Sequence, residues 1–586
     1  MIRSALFTLA ALGLTACVGG PTPDPDGGTR DGGSPPHTGC ESAADCDDGL
    51  FCNGAEICDP SSSAADRFGC APNTTPCEAI TVPCLPDQSA PYPATSPALG
   101  IHLNAQNNDV VRCDTAIEFV QDWHVLEGIP IGQPNVFSPD GSTMYITSIA
   151  TEPDGCHLHA LSAESGRQQW CRSYDNSVPV AGVEVDADGF LYFASENSVN
   201  SLHPDGSDRW TVSLPPDGGW PIGLHMTPDG HVATVTGAGV VYLIARDTGG
   251  VLASLDIPDA YGFVPPQGID MGGISLLDLL PDPVKEDIER LYGAETDTST
   301  LLGVIVGSGQ FSDNTIGVSP RNELYVIGGG EDPEHGALVQ IRVEGTPTAP
   351  VLMAGWAMPT NAGSGTTPSI TFDGRYVTVG DGAGLASLLG TADEPGRHYI
   401  VDIDACDANE DANAEPTRCA PVASTELQRG AAIGSIPILP DGTIVPFEYS
   451  FSATDAAGQP DLWAMDPSGA VLWQTDLPDG LMLSSVITVS DNHLIATATR
   501  LVPSRERVLS IILPRTAESE LMVLDRSDGS VVFRTAIVDD GLLNPVIGPD
   551  GSLYIGLSGI LSTLASETRP TTGLVRFVPT RAPISP

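Results

Sequence analysis

The sequence predicts an all-β chain, an eight-bladed β-propeller preceded by a small disulfide-rich module. Three observations carry this: a turn-and-strand phrase that recurs along the chain, a Gly-turn hairpin that follows it, and a run of cysteines near the start. The phrase is clearest at 138–170, where SPDGSTMYITS is followed after a spacer by HALSAESGRQQW. Met144 and Ile146 alternate with Tyr145 and Thr147, the period-2 signature of a half-buried strand. The second half is a strand, a Gly-containing turn and a strand ending in Trp170, which is hairpin grammar. Four short strands per unit, repeated along a chain, make a propeller blade.

The opening turn occurs eight times. It stands at Pro139-Asp140-Gly141, Ala187-Asp188-Gly189, Pro228-Asp229-Gly230 and, degraded, Pro320-Arg321-Asn322. It continues at Phe372-Asp373-Gly374, Pro440-Asp441-Gly442, Ser490-Asp491-Asn492 and Pro549-Asp550-Gly551. The hairpin recurs as SLHPDGSDRW from Ser201, LIARDTGGVLA from Leu243, WAMDPSGAVLW from Trp463 and MVLDRSDGSVVF from Met522. The pattern A-x-D-x-x-(T/S)-G-x-x-x-W resembles the repeat of the pyrroloquinoline-quinone (PQQ)-like propellers, which commonly have eight blades. The resemblance covers most of 119–579 and speaks to fold more than to function.

Taken in order, the chain begins with Arg3, the apolar run 5–12, and Leu14-Thr15-Ala16-Cys17. This is a secretory signal (1–16) ending in a lipobox, so Cys17 is expected to become the lipidated first residue. The alternative is a plain cleaved signal with a chance cysteine. Val18 follows, not Asp, which under the bacterial lipoprotein sorting rule favours the outer membrane. Residues 17–39 are Gly, Pro, Asp and Thr with almost nothing apolar, the composition of a disordered tether.

Removing Cys17 from the 13 cysteines leaves an even number in an exported chain, and a disulfide framework is the expectation. Residues 40–84 hold few large hydrophobes, so a segment this small needs cross-links. CDDGLFCNGAEICDP resembles the Cys-rich modules of bacterial surface lipoproteins, notably those of myxobacteria and their relatives. Cys40, Cys46, Cys52, Cys58, Cys70 and Cys77 can close the module among themselves, leaving Cys84 to reach Cys113 across a linker at 85–118. Asp45, Asp47, Asp48, Asn53 and Glu56 offer calcium an acidic cluster, though solvated turns are the plainer reading.

The propeller is expected over 119–580. Cys156 and Cys171 flank the turn at Ser162–Ser165 symmetrically and would face each other across the hairpin. Cys406 and Cys419 close a loop holding Asp407, Asn409, Asp411 and Asn413 at every second position, like the start of an EF-hand. The imitation fails at Ala412, where Gly is wanted, and at Arg418, where the bidentate Glu belongs, so calcium is the weaker reading. An insertion at 258–317 carries a helix signal, with Asp282 to cap, Pro283 to start and Gly293 to stop it. Its apolar stripe is Val284, Ile288 and Leu291. The eighth repeat lacks a Trp-bearing fourth strand, and the orphan strand at 119–127 is expected to complete it.

The long segments 258–317, 328–336, 383–398, 452–460 and 500–518 belong to B–C or D–A connections, which share one face of a propeller. Ligands and partners bind such faces, although drift on an unused surface has the same signature.

The net charge of −50, with Lys285 the single lysine, argues against nucleic acid and phosphorylated lipid as partners. The chain has no G-x-S-x-G, H-E-x-x-H, C-x-x-C-H or P-loop, and no catalytic residue is assigned. His157 and His159 share a strand face but lack a third ligand nearby in sequence, so satisfied or solvent-facing histidines are the reading. Trp123, Trp170, Trp210 and Trp473 read as packing between blades. PQQ-dependent alcohol dehydrogenases, in the family the repeat resembles, carry two adjacent cysteines, and this chain has none.

The expected function is therefore non-catalytic: an envelope lipoprotein, monomeric, that binds or scaffolds through its long-loop face. Its partners would be envelope proteins or a surface ligand, with the membrane touched only through the lipid, and no cofactor is expected beyond calcium. Similar propellers act as assembly factors for outer-membrane proteins. The rivals are a PQQ-dependent dehydrogenase and another enzyme with its site in the central funnel.

Overall fold

In the computed structural model the described residues are 56–59, 61, 70–72, 79–84, 92, 96–148, 156–174, 182–266, 310–312, 314–361, 363–382, 396–408, 418–427, 432–448, 461–502, 516–565 and 570–581. The chain divides into two compact units, 1–76 and 77–586. In the first, Glu56–Cys58 pairs antiparallel with Cys70–Pro72, which sets Cys58 opposite Cys70. The expected module boundary at 84 is corrected, because 79–84 belongs to the second unit. There Ile80 N–H donates to Pro579 O, Val82 N–H to Asp550 O and Cys84 N–H to Pro549 O. Backbone pairing with the last blade decides where this segment goes.

The second unit is an all-β propeller. Among the described residues seven sheets have four or more strands, and they are the blades. In sequence order they span 136–172, 184–213, 221–256, 317–360, 369–426 and 482–537. The seventh closes the ring: Glu118–Val125 pairs with Gly573–Arg581, followed inward by Leu553–Leu557 and Val546–Ile547. The orphan strand thus joins the two ends of the propeller, as its sequence suggested.

Seven blades correct the expected eight. The repeat at Pro440-Asp441-Gly442 forms only a two-stranded sheet, Leu462–Met465 with Val471–Thr475. Inside it the pairing is reduced to single bridges, Ile438 to Ile444, Ile444 to Met465 and Phe447 to Leu462. Pro437, Pro440 and Pro446 lack the amide hydrogen that a ladder needs, which accounts for the loss. The sheet still packs on both neighbours. Ile438, Trp463 and Met465 are buried with Ile400 on one side, and Phe447 and Leu462 with Leu494 and Met522 on the other.

Neighbouring blades are clamped by tryptophan. Trp123, Trp170, Trp210 and Trp473 each donate the indole N–H to a carbonyl in the next hairpin turn, at Glu164, Pro204, Arg246 and Arg526. Each ring lies against the turn's glycine: Gly166, Gly206, Gly249 or Gly529. Gly249 has φ +71°, and a Cβ there would stand 2.6 Å from the Trp210 ring. Gly249→Ala is expected to lower stability by about 2–4 kcal/mol, from left-handed strain and overpacking together. A shifted denaturant midpoint with unchanged slope checks this.

Where Ala253 replaces the tryptophan, the short helix Ile257–Tyr261 takes over. Asp256 caps it by accepting from the Asp259 N–H, and Gly262 ends it in the left-handed region. Tyr261 then donates its hydroxyl to Gln340 O and accepts from the Gly355 N–H. The helix expected at Asp282–Gly293, with Lys285 on it, lies outside the described residues. Arg576 fastens the ring closure, bonding Asp122 at 2.8 Å and Asp550 at 2.7 Å while donating to Glu164 O.

Candidate functional site: a channel filled by its own chain

The innermost strands of the blades surround a central channel, and residues 96–111 fill it. All of them are buried except the half-buried Gln106. The linker expected at 85–118 is corrected over this stretch. It stays inside because its polar groups find partners on the innermost strands. Val318 N–H donates to Ala105 O, Ile370 N–H to Gln106 O, Ile438 N–H to Asn108 O and Val489 N–H to Asp109 O. Asn108 Nδ2 reaches Ile370 O at 3.2 Å, and Val111 N–H returns to Val489 O at 2.7 Å. His102, Leu103, Asn107 and Asp109 hold positive φ between 51° and 70°. Conformations of this kind, costing about 1–3 kcal/mol each, persist where the surroundings enforce them.

The buried polar side chains form two chains of contacts. Asn107 Nδ2 donates to Ile316 O and Pro368 O, which turns its Oδ1 towards His225 Nε2 at 2.7 Å. His225 Nε2 must then donate, and in the neutral ring its Nδ1 is an acceptor facing Glu184 Oε1 at 2.6 Å. Glu184 must supply the proton. Burial agrees: it holds the Glu184 carboxyl well above the ordinary carboxylate range and lowers His225 to about 3, helped by His102. The pair is neutral.

In the second chain, His102 lies between Ser435 Oγ at 2.6 Å and Thr367 Oγ1 at 3.2 Å. Asp109 accepts from Asn544 Nδ2 at 3.0 Å, and burial raises its carboxyl despite that bond and the nearby His102. The fit is not complete. Glu184 Oε2, Thr315 Oγ1, Asn544 Oδ1 and Asp109 Oδ2 are buried without a hydrogen-bond partner among the described residues. Each such group costs roughly 1–3 kcal/mol.

A disulfide pins the ends of this plug. Cys84 and Cys113 are bonded, with Cα atoms 5.3 Å apart. Cys84 lies against the turn at Pro549, and Cys113 O accepts from Asp491 N–H in the preceding blade's turn. Both ends therefore sit at the face carrying the tight turns.

The remaining sequence candidates fall elsewhere. Cys156 is bonded to Cys171 and Cys406 to Cys419. Cys58 is disulfide-bonded too, while Cys17, Cys40, Cys46, Cys52 and Cys77 lie outside the described residues, as do Asp45, Asp47, Asp48 and Asn53. Asp407 accepts from Trp356 Nε1 at 3.0 Å and Gln340 Nε2 at 3.1 Å, so it serves as the clamp between two blades. Asn409, Asp411 and Asn413 lie outside the described residues. His157 and His159 are both buried. His157 Nδ1 accepts from Tyr174 N–H, and His159 Nδ1 bonds Gln168. No group of three potential metal ligands occurs among the described residues.

Sequence reasoning missed the plug. Ala-Gln-Asn-Asn-Asp at 105–109 has no periodicity and reads as linker. Its one signal is the density of amide side chains, which suits a segment whose backbone bonds to other backbones.

No protein-family model matches the chain, and no curated protein matches it. Solved structures do. The quinohemoprotein alcohol dehydrogenase from Comamonas testosteroni superposes with TM-score 0.50 at 11% identity, over 85% of this chain and 82% of that one. The fold is that of a PQQ-like propeller. A europium-containing methanol dehydrogenase (TM-score 0.48, 12% identity, 83% of this chain and 98% of that one) is also similar. So is BamB from Moraxella catarrhalis, with TM-score 0.41, 12% identity, and coverage of 78% of this chain and 99% of that one. These likenesses speak to fold alone.

The cofactor that the PQQ-like fold implies does not fit this channel. An anionic tricarboxylate needs cationic donors, and among the described residues no arginine or lysine bonds those at 102–109. The titratable groups there are Glu184, Asp109, His102 and His225, and the plug fills the space between them.

Proposed function

We propose that this chain is a non-catalytic binding or scaffolding protein of the bacterial cell envelope. The observation that carries the reading is the channel filled by 96–111, because a funnel enzyme needs that volume for substrate. Binding then falls to the outer surfaces, and first to the face of the long connections. Anchoring through a lipidated Cys17, an outer-membrane location and a monomeric state complete the proposal. Among the described residues no helix is long and apolar enough to cross a membrane.

Capture from solubilised native envelope tests it. The full-length protein is expected to retain a defined partner that a variant lacking 503–515 does not retain. Equal capture by both would move the site off that face. Turnover of an alcohol or aldose after loading with PQQ and calcium would replace the proposal with the dehydrogenase reading.

A further inference from the structure

The plug meets the channel wall as a bound peptide would. Four inner segments give one backbone N–H each, from Val318, Ile370, Ile438 and Val489, to the carbonyls of Ala105, Gln106, Asn108 and Asp109. Three of the return bonds also end on main-chain carbonyls, at Ile316, Pro368 and Ile370. Recognition through backbone groups tolerates many sequences, with side-chain pockets adding preference. The preference here is for amides: Asn107 sits between His225 and two carbonyls, and Asn108 bonds Ile370 O and Asn104.

Two features mark the plug as a replaceable occupant rather than core. It leaves Glu184 Oε2, Thr315 Oγ1 and Asn544 Oδ1 of the wall without a partner among the described residues, and four of its own residues hold left-handed backbone. It is also fastened at a single point of covalent closure, the Cys84–Cys113 bond, where Cys113 is only half-buried.

We propose that the channel is a peptide-binding site closed by its own chain, with 102–111 as the resident ligand and Cys84–Cys113 as its latch. A dithiol reductant opens the latch. It gives two electrons and two protons, the sulfur–sulfur bond breaks to the Cys84 and Cys113 thiols, and the reductant closes to its own disulfide. A peptide rich in Asn or Gln that can adopt the same turns then takes the plug's place. This site is distinct from the long-loop face, and it stands or falls independently of envelope capture.

The test uses full-length protein, wild type and Cys84→Ser/Cys113→Ser, with a fluorescent peptide HLNAQNNDVV copied from 102–111. Hydrogen exchange is followed at Val318, Ile370, Ile438 and Val489. In the variant these four amides are expected to exchange at least tenfold faster while Val232 and Leu494 in the blades keep their rates. The peptide is expected to bind the variant saturably, to restore protection at the four amides, and not to bind oxidised wild type. Unchanged protection with no binding would make the plug permanent core and overturn the proposal. If the variant loses its melting transition, wild type is titrated with dithiol instead. No peptide binding at any dithiol level that leaves the melt intact would overturn it equally.

Discussion

Asn107→Ala is expected to cost about 3–6 kcal/mol, the largest loss for any single plug residue. The side chain satisfies three buried groups at once: His225 Nε2 and the carbonyls of Ile316 and Pro368. Removing it strands all of them, at about 1–3 kcal/mol each before relaxation. Part of the loss is backbone strain, because Asn107 has φ +51°. Asn107→Gly separates the two contributions. It loses the same bonds without the strain and is expected to be about 1 kcal/mol more stable than the alanine variant. Chemical denaturation of the three proteins measures both differences. Asn107→Ala with wild-type stability would mean that 96–111 does not sit among these partners.

His398→Phe is expected to flatten the acid limb of the stability curve and to stabilise the protein at neutral pH. His398 is fully buried, both ring nitrogens lack partners among the described residues, and its ring lies 5.9 Å from that of Trp463. Burial alone lowers its pKa from 6.5 to about 3. Because the folded value is depressed, stability from neutral His398 is present above pH 6.5 and is lost as the pH falls towards 3. The slope between those limits is about 1.4 kcal/mol per pH unit for one proton. Phenylalanine removes that slope together with the unpaired nitrogens. His225 adds a loss of the same sign, and the raised Glu184 carboxyl works in the opposite direction. Both are present in the two proteins, so the difference between their curves isolates His398. Parallel curves from pH 7 to 4 would contradict the burial of this ring.

The propeller was legible because blades are local. Turn, alternation and hairpin lie within some forty residues of each other, and the tryptophans mark the seams between them. The closing strand was legible for a related reason: an unfinished last repeat needs a partner, and 119–127 has the pattern to supply one. Two features were not legible. The reduced sheet at 462–475 keeps its repeat signature at Pro440-Asp441-Gly442, and only the three nearby prolines argue against a full blade. The plug is written in contacts hundreds of residues away, such as Asn107 with Pro368 and Asp109 with Asn544, which no local pattern records. The Glu184–His225 pair was invisible for the same reason. Each residue sits in an ordinary inner strand, and only the ring brings them together.

Amide exchange of Val111 and of the wall residues Val318, Ile370, Ile438 and Val489 in the intact, oxidised protein tests the central claim most directly. The four wall amides donate to plug carbonyls and Val111 N–H donates to Val489 O, so all five are expected to exchange as slowly as Val232 and Leu494, through global opening alone. Complete exchange within seconds, with the blade strands still protected, would show the channel open and would contradict the account.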